Sequence, residues 1–443
     1  MTNAAEDLAN RFRAGYAESV DEGLAAPVSF LADEVELVRG QPDDGVKSGA
    51  ALAARYASEG ATLRQQMPDF TISDVVITTE GDDRVVVEGR TRWTAPTGPV
   101  DRAFHLEYTL RDDRIVHIFS SAPARAAMDP SDVLSLHQSL SNWGRWGDDD
   151  QLGTLNFITP EVTVSAATTV QAGHRVSCSR PLPTKPALDN PSPVLHHMTG
   201  TFVEGHGGDF FAISSHGFTT THIDALCHVF HEGKLYNGYS AETVTPHGAM
   251  QLGLHHMQSG IATRGVLLDI AAVRGVEALE PGEPIFPEDL EAAEDAGGFK
   301  VQSGDALLIR TGRWRWRELH GPWRLGERAA GLDASCLSWI HQRQVSILGC
   351  DGFSDVMPSR IASAPKVGGS SDVGGVDLTK LGLMLPIHSV SIVAMGMPLL
   401  DNLELEELAA VCTANNRWAF FFLAAPLVLE NGTGSPLNPI AIL

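Results

Sequence analysis

The chain has 443 residues, of which 43% are hydrophobic and 20% charged, close to the averages of soluble globular proteins. This composition excludes a disordered, a collagen-like and a disulfide-scaffold protein, and the length predicts roughly two or three domains. The 55 acidic and 32 basic residues give a formal net charge of −23, which repels nucleic-acid phosphates and anionic lipid surfaces. We therefore expect no nucleic-acid partner and no membrane partner.

The cysteines and the apolar runs indicate the compartment. The five cysteines are widely spaced and form no Cys-x-x-Cys pair, which argues against a disulfide framework and a thiolate zinc knuckle. The first dozen residues contain no apolar run of signal-peptide length. The longest apolar stretch, residues 418–429, contains Pro426 and is too short to span a bilayer, so we predict a buried strand there. A cytoplasmic location fits these features best.

The first part of the chain predicts an α+β domain. Apolar residues recur at every fourth position from Leu8 to Val20, which is the spacing of one helical stripe. Strand-like runs separated by short turn sequences follow, at residues 70–79, 84–93, 103–110 and 114–121. Strands with such short links must be antiparallel, because parallel pairs need a long crossover.

This order of elements, with the sequence FLADEVEL at residues 30–37, resembles the SnoaL-like branch of the nuclear transport factor 2 fold. The resemblance covers roughly residues 4–125 and implies a cone formed by a curved sheet around helices. Members of that fold include isomerases, polyketide cyclases and noncatalytic binding or dimerisation modules, so the fold alone assigns no chemistry. His105, Glu107 and Thr109 share one strand face, which either lines the cone or faces solvent.

We assign residues 1–125 to this SnoaL-like domain, residues 126–141 to a linker of small and polar residues, and residues 142–443 to a second domain. In the second domain, strand candidates alternate with helices and with loops rich in glycine and proline. These candidates are residues 265–270, 305–311, 345–349, 389–394 and 419–424.

Histidines cluster in the second domain, where ten of the 17 fall between residues 196 and 256. Within the cluster His222, Asp224 and His228 stand at positions i, i+2 and i+6. Neutral imidazole and carboxylate together suit zinc, manganese or iron, and the close spacing helps one loop to gather ligands around one ion. A bare His-x-Asp is also common by chance, and a hydrogen-bonded core histidine is the alternative.

The sequence HIDALCH, which follows Thr221, resembles the signature of the metal-dependent cyclase-like hydrolase family, which includes bacterial kynurenine formamidase and isatin hydrolase. Further segments agree in order with its larger members, at residues 142–161, 265–270, 304–312 and 432–443. The resemblance implies an α/β cyclase-family domain with a central mixed sheet and a divalent metal ion, most simply zinc or manganese. It also implies a small-molecule substrate and a homo-oligomer.

The ligands can be carried over only in part. In the usual family loop two histidines and an aspartate hold the metal, and a catalytic or second-metal histidine follows. This assigns the metal to His222 and Asp224 and the later role to His228. The first histidine does not carry over, because Phe218 stands four residues before His222. His216 can replace it as a metal ligand only if the loop follows a different path.

Downstream, His388 and Asp401 resemble the family's histidine followed by glycine and Glu-Asn-Leu, with aspartate here in place of glutamate. We expect His388 to be catalytic and Asp401 to support the metal ligands or to hold a second ion. The segment 310–328 carries six arginines and three tryptophans, which suit a flat, anionic substrate. The predicted substrate contacts are Phe218, Arg313, Trp314 and Trp316. The alternative is a surface helix with its tryptophans packed beneath.

Three functions remain open at this point. The leading hypothesis is a metal-dependent hydrolase of a cyclic or aryl amide, imide or lactone, within secondary metabolism. The second is a cyclase or lyase acting on a polyketide-like intermediate, because a metal-stabilised enolate supports such reactions without uptake of water. The third is a noncatalytic, metal-free binding or scaffold protein, which Phe218 at a ligand position favours.

Overall fold

The computed structural model describes residues 31–38, 45–48, 71–80, 84–95, 98–111, 114–121, 127–362 and 384–443. The chain divides into two compact units, residues 1–126 and residues 127–443. The helix that we predict from Leu8 to Val20 lies outside the described residues. Among the described helices, none has the length and apolar character that a bilayer crossing requires.

The described part of the first unit is a sheet of six strands with the order β2-β1-β6-β5-β4-β3. The strands are β1 (Leu31–Val38), β2 (Gly45–Ser48), β3 (Thr71–Glu80), β4 (Arg84–Ala95), β5 (Gly98–Arg111) and β6 (Arg114–Ser121). The antiparallel pairing predicted for these consecutive strands is confirmed: β3 pairs with β4, β4 with β5, and β5 with β6. Strand β1 pairs with β6 in parallel. His105 and Glu107 lie on β5, but their side chains are outside the described part. The cone that the resemblance implies for this domain stays a prediction.

The second unit contains short strands and short helices joined by long loops. Its strands are β7 (Arg175–Ser177), β8 (Leu195–Gly200), β9 (Gly208–Ala212), β10 (His222–Asp224), β11 (Val244–Thr245), β12 (Gly248–Ala249), β13 (Ile261–Asp269), β14 (Pro284–Ile285), β15 (Ala306–Arg310), β16 (Gly331–Leu332), β17 (Ile347–Cys350), β18 (Leu399–Asp401), β19 (Ala419–Ala424), β20 (Gly434–Pro436) and β21 (Ile440–Ile442). Its helices are α1 (Pro130–Ser139), α2 (Pro160–Ala167), α3 (Ile270–Val273), α4 (Pro287–Gly297), α5 (Arg313–His320), α6 (Cys336–Gln342), α7 (Pro386–His388), a π-helix (Ser389–Met395) and α8 (Glu406–Asn415).

The core of this unit is a sheet of nine described strands with the order β20-β10-β18-β17-β15-β13-β19-β21-β7. Strands β13, β15, β17 and β18 are parallel, and the outer pairings are antiparallel. Every residue of β15 and β17 is buried. Burial on both faces is typical of parallel strands in a sheet that is covered on both sides. The predicted central mixed sheet is confirmed.

Two sequence predictions differ from the structure. The strand predicted at residues 389–394 is a π-helix, which follows α7 and the proline in its first turn. All seven of its residues are buried, and a short apolar run without alternation does not separate a buried strand from a buried helix. The predicted linker 126–141 contains a helix over Pro130–Ser139, and its residues 127–141 belong to the second unit, where Val133 and His137 are buried.

A close backbone contact joins the segment after α1 to the end of the π-helix. Thr154 donates its backbone N–H to the carbonyl oxygen of Gly396 at 2.8 Å. The neighbouring Gly153 has φ +58, and a Cβ atom there would overlap that same carbonyl. Only glycine meets both conditions, the left-handed backbone and the absent side chain.

Gly153→Ala is therefore expected to lower the free energy of unfolding by more than about 2 kcal/mol, because backbone atoms must shift to admit the methyl group. Gly173→Ala is the matched control, since Gly173 has φ +71 with no described atom within 4 Å of the added Cβ. The control is expected to cost only about 1 kcal/mol. Chemical denaturation measures both, and equal losses would contradict the close contact.

Candidate active site

Strand β10 brings the metal-ligand motif beside a residue far along the chain. It lies between β18 and β20, with His222 opposite Asp401 and also opposite Pro436. All three residues of β10 are buried. Because side chains alternate along a strand, His222 and Asp224 share one face, toward which the loops before and after β10 converge.

Asp224 is the centre of the site. Its Oδ1 lies 2.7 Å from Nδ1 of His216, 3.4 Å from Nε2 of His222 and 4.0 Å from Nε2 of His228. Its Oδ2 lies 3.7 Å from Nε2 of His388. The site residues that we predict from sequence at His216, His222, Asp224, His228 and His388 are thus brought together around one carboxylate.

The environment of Asp224 favours a charged carboxylate. Burial favours the neutral acid, but the imidazoles of His228 and His222 outweigh it and hold the pKa of Asp224 well below its ordinary value. Its Oδ2 is buried and has no hydrogen-bond partner among the described residues. A buried carboxylate oxygen without a donor is costly unless a cation completes it.

His216 lies beside Asp224, although Phe218 occupies the position of the family's first histidine. Its Nε2 contacts Thr433 Oγ1 at 3.0 Å, and its ring stacks on His228 with 3.7 Å between the centroids. Phe218 instead packs edge-to-face against Phe353, with 5.9 Å between the ring centroids. The loop thus brings the imidazole of His216, and not the ring of Phe218, to Asp224.

His222 is oriented by its own loop. Its Nδ1 is 2.8 Å from the carbonyl oxygen of Thr220, which can only accept, so Nδ1 carries a proton and, in the neutral imidazole, Nε2 has the lone pair. Burial lowers the pKa of His222, but the adjacent Asp224 carboxylate outweighs it and leaves the pKa above the ordinary value. The free Nε2 lies on the side of Asp224, as a metal ligand requires.

His388 is held between carboxylates. Its Nδ1 lies 2.6 Å from Asp355 Oδ2, and its Nε2 lies 3.3 Å from Asp401 Oδ2. Asp401 also accepts a hydrogen bond from Ser354 Oγ at 2.8 Å. Burial lowers the pKa of His388, but Asp401 and Asp355 raise it well above the ordinary value. The structure places Asp401 beside His388 and, in the strand register, opposite His222.

Asp355 and Ser354 are site residues that the sequence analysis misses. Asp355 accepts the backbone N–H groups of Ile387 and His388 as well as the imidazole, so it fixes the start of α7 and the ring together. A signal was present, because polar side chains that follow a buried parallel strand at its carboxyl end are a common feature of α/β sites. Strand β17 is followed by the sequence DGFSD at residues 351–355.

Two overlapping groups of donors can hold a cation. In one, donor atoms of His216, Asp224 and His228 lie within 4.8 Å of one another; in the other, those of His222, Asp224 and Asp401 do. Nitrogen and carboxylate oxygen donors in this number suit zinc or manganese. Together with the unpartnered Asp224 Oδ2, the donor set fits a divalent ion.

The predicted substrate contacts on α5 lie elsewhere. Trp314 is buried, and its indole N–H donates to the carbonyl of Leu403 at 2.7 Å, so it offers no surface to a substrate. Arg313 is also buried and contacts the backbone of the loop before β10. Trp316 packs on His320, with 4.1 Å between ring centroids. Arg313 and Trp314 are thus buried, as the alternative interpretation states for the tryptophans, whereas Trp316 is only half-buried.

Several solved structures are similar to parts of this chain. The chain resembles a novel cyclase of known crystal structure with 29% identity, 69% of this chain and 99% of that chain covered, and a TM-score of 0.59. An isatin hydrolase bound to the product analogue thioisatinate is 15% identical, with 65% and 99% covered and a TM-score of 0.41. An NTF2-like protein from Anabaena variabilis is 13% identical, with 28% and 92% covered and a TM-score of 0.23.

No curated protein matches the chain. The model of the Cyclase family matches residues 134–355, a range that holds the whole histidine motif and Asp355. The chain therefore belongs to the Cyclase family.

Proposed function

We propose that the protein is a metal-dependent hydrolase that opens a cyclic or aryl amide, imide or lactone. The observation that carries the proposal is the buried Asp224 carboxylate, whose Oδ2 is unpartnered among the described side chains and whose neighbours are imidazoles. Membership of the Cyclase family supports an enzymatic role. The substrate class comes from the family resemblance.

His216, His222 and Asp224 would hold zinc or manganese. Asp224 belongs to both donor groups, one with His216 and His228 and the other with His222 and Asp401. A divalent ion at this place supplies a Lewis acid for a carbonyl oxygen and lowers the pKa of a bound water toward neutrality. The chain supplies the rest. The hydrogen bond from His222 Nδ1 to Thr220 fixes one donor, and the contact of His216 Nε2 with Thr433 fixes the other.

His228 has the features of a proton carrier. Burial lowers the pKa of His228 to about 4, although the Asp224 carboxylate acts in the opposite direction, so the imidazole is neutral near pH 7 and can accept a proton. Its side chain is 29% exposed, more than that of His222 or His388, so a substrate can reach it. We propose that its Nε2 takes a proton from water and returns it to the leaving group.

His388 has a different task. Asp355 fixes its Nδ1–H, which turns Nε2 toward Asp401 and Asp224. This imidazole orients the carboxylates and can donate a proton to a developing negative charge on the substrate.

We also propose a cytoplasmic homo-oligomer acting on a small molecule of secondary metabolism.

Similarity to a novel cyclase at a TM-score of 0.59 favours a second candidate, a cyclase or lyase acting on a polyketide-like intermediate. The two reactions differ in the fate of water. A hydrolase places one oxygen atom of water in the product, whereas a cyclase or lyase takes up none.

The reaction in water labelled with oxygen-18 is therefore expected to give a product that carries one label in the new carboxyl group. Mass spectrometry of product from a single turnover measures the label. Incubation of finished product in the same water is the control for exchange. An unlabelled product would contradict the hydrolase and support the cyclase or lyase.

A further inference from the structure

A buried asparagine holds the backbone of the loop that carries His216 and His222, here called the ligand loop (residues 216–222). The side-chain amide of Asn402 donates to the carbonyl oxygens of Gly217 at 2.8 Å and Thr220 at 3.0 Å. Asn402 directly follows β18 and is fully buried. One side chain therefore ties the beginning and the end of the ligand loop together.

Arg313 supports this asparagine from behind. Its guanidinium donates one hydrogen bond to Asn402 Oδ1 and another to the carbonyl oxygen of Phe218. Arg313 is itself buried, and its guanidinium lies 4.1 Å from the Trp314 ring and 3.8 Å from Asp189. Its planar fork matches the two acceptors, which a lysine ammonium cannot do from one position.

The hydrogen bonds continue into the metal-ligand motif. The Thr220 carbonyl that accepts from Asn402 also accepts from His222 Nδ1, at 2.8 Å. Thr221 Oγ1 donates to the backbone carbonyl of Asn402 at 2.7 Å. The position of Asn402 therefore determines both the place of the Thr220 carbonyl and the direction in which the imidazole points.

Asparagine suits this position for two physical reasons. Its backbone has φ +58, a left-handed conformation that asparagine tolerates better than most residues. Its amide donates on one side and accepts on the other, whereas an aspartate would direct a carboxylate oxygen at two carbonyl oxygens. The residue is thus matched to the carbonyls of the loop and to the arginine at once.

We propose that Asn402, supported by Arg313, is a positioning residue that holds the ligand loop so that His216 and His222 both face Asp224. This inference rests on the proposed metal-dependent function. It explains how the chain keeps a metal site with Phe218 at a ligand position: the loop is bound through its carbonyls, and Phe218 turns to Phe353. Neither residue needs to touch the substrate.

The test is a titration of the full-length, metal-free protein with cobalt(II), followed by the visible absorption bands of the bound ion. Asn402→Gly keeps the left-handed backbone and removes the amide. We expect it to weaken cobalt binding about 10- to 100-fold, the usual effect of losing a residue that orients a ligand. Arg313→Lys is expected to weaken binding in the same direction, since one of its two hydrogen bonds is lost.

Asn416→Gly is the control, because Asn416 also has a positive φ, at the exposed end of α8. It is expected to bind cobalt as the wild type does. Thermal unfolding of the metal-free variants separates folding from binding. Folded Asn402→Gly and Arg313→Lys proteins with unchanged affinity and spectrum would overturn the positioning role. A wild type that binds no cobalt would instead overturn the proposed function.

Discussion

Asp224→Asn is expected to weaken zinc or manganese binding by more than about a hundredfold and to abolish turnover. Both candidate donor groups include Asp224, so no cation can be held in either without it. Asparagine keeps the size of the side chain but removes the negative charge that the surrounding imidazoles stabilise. Calorimetric titration of the metal-free protein with each metal measures the loss.

Asp209→Asn is the matched control, because Asp209 also contacts an imidazole, that of His196 at 3.1 Å, but on the exposed hairpin of β8 and β9. This variant is expected to keep wild-type affinity and turnover. Circular dichroism checks that both variants are folded. Wild-type metal affinity in Asp224→Asn would show that the carboxylate is no ligand.

His228→Ala is expected to reduce kcat about 10²- to 10⁴-fold while metal affinity changes far less, because the proposed task of His228 is proton transfer. His216→Ala is expected to show the opposite pattern, in which metal affinity falls strongly because His216 is a proposed metal ligand. The rings of His216 and His228 stack face to face with 3.7 Å between their centroids. Different effects of the two substitutions would therefore assign different roles to two neighbouring imidazoles. Metal content and turnover are measured on the same preparations.

Added imidazole should restore part of the activity of His228→Ala, since the side chain is 29% exposed and leaves a space open to solvent. The control variant His247→Ala removes an exposed histidine of the same region and should be neutral. Loss of metal from His228→Ala equal to that from His216→Ala would contradict the proton-transfer role. His228 would then be a metal ligand.

Local patterns predict the parts of the site that lie within a few residues. His222 and Asp224 share a face because side chains alternate along a strand. Strand β19 has the predicted bounds, and it lies within a longer apolar run that contains Pro426. The position of the His216 imidazole beside Asp224 depends on the path of the loop, which no local sequence pattern determines. Its ring is placed by Thr433, more than two hundred residues away.

Long-range pairing decides the rest. Asp401 meets His222 only because β18 pairs with β10, and the sequence contains no sign of that register. The π-helix after His388 reads as a strand because its buried residues show no alternation. The tasks of Asp355 and Asn402 include hydrogen bonds to backbone groups of distant segments, and their position in the sequence does not reveal those partners.

The proposed metal site, in which Asp224 and the surrounding imidazoles hold a divalent ion, is the basis of the proposed function. Its most direct test is the zinc and manganese content of wild-type protein, purified without chelator, incubated with each metal and desalted. About one tightly held ion per chain is expected, and Asp224→Asn measured alongside should hold none. Wild-type protein that retains neither metal would contradict the claim and leave a noncatalytic binding protein as the remaining hypothesis.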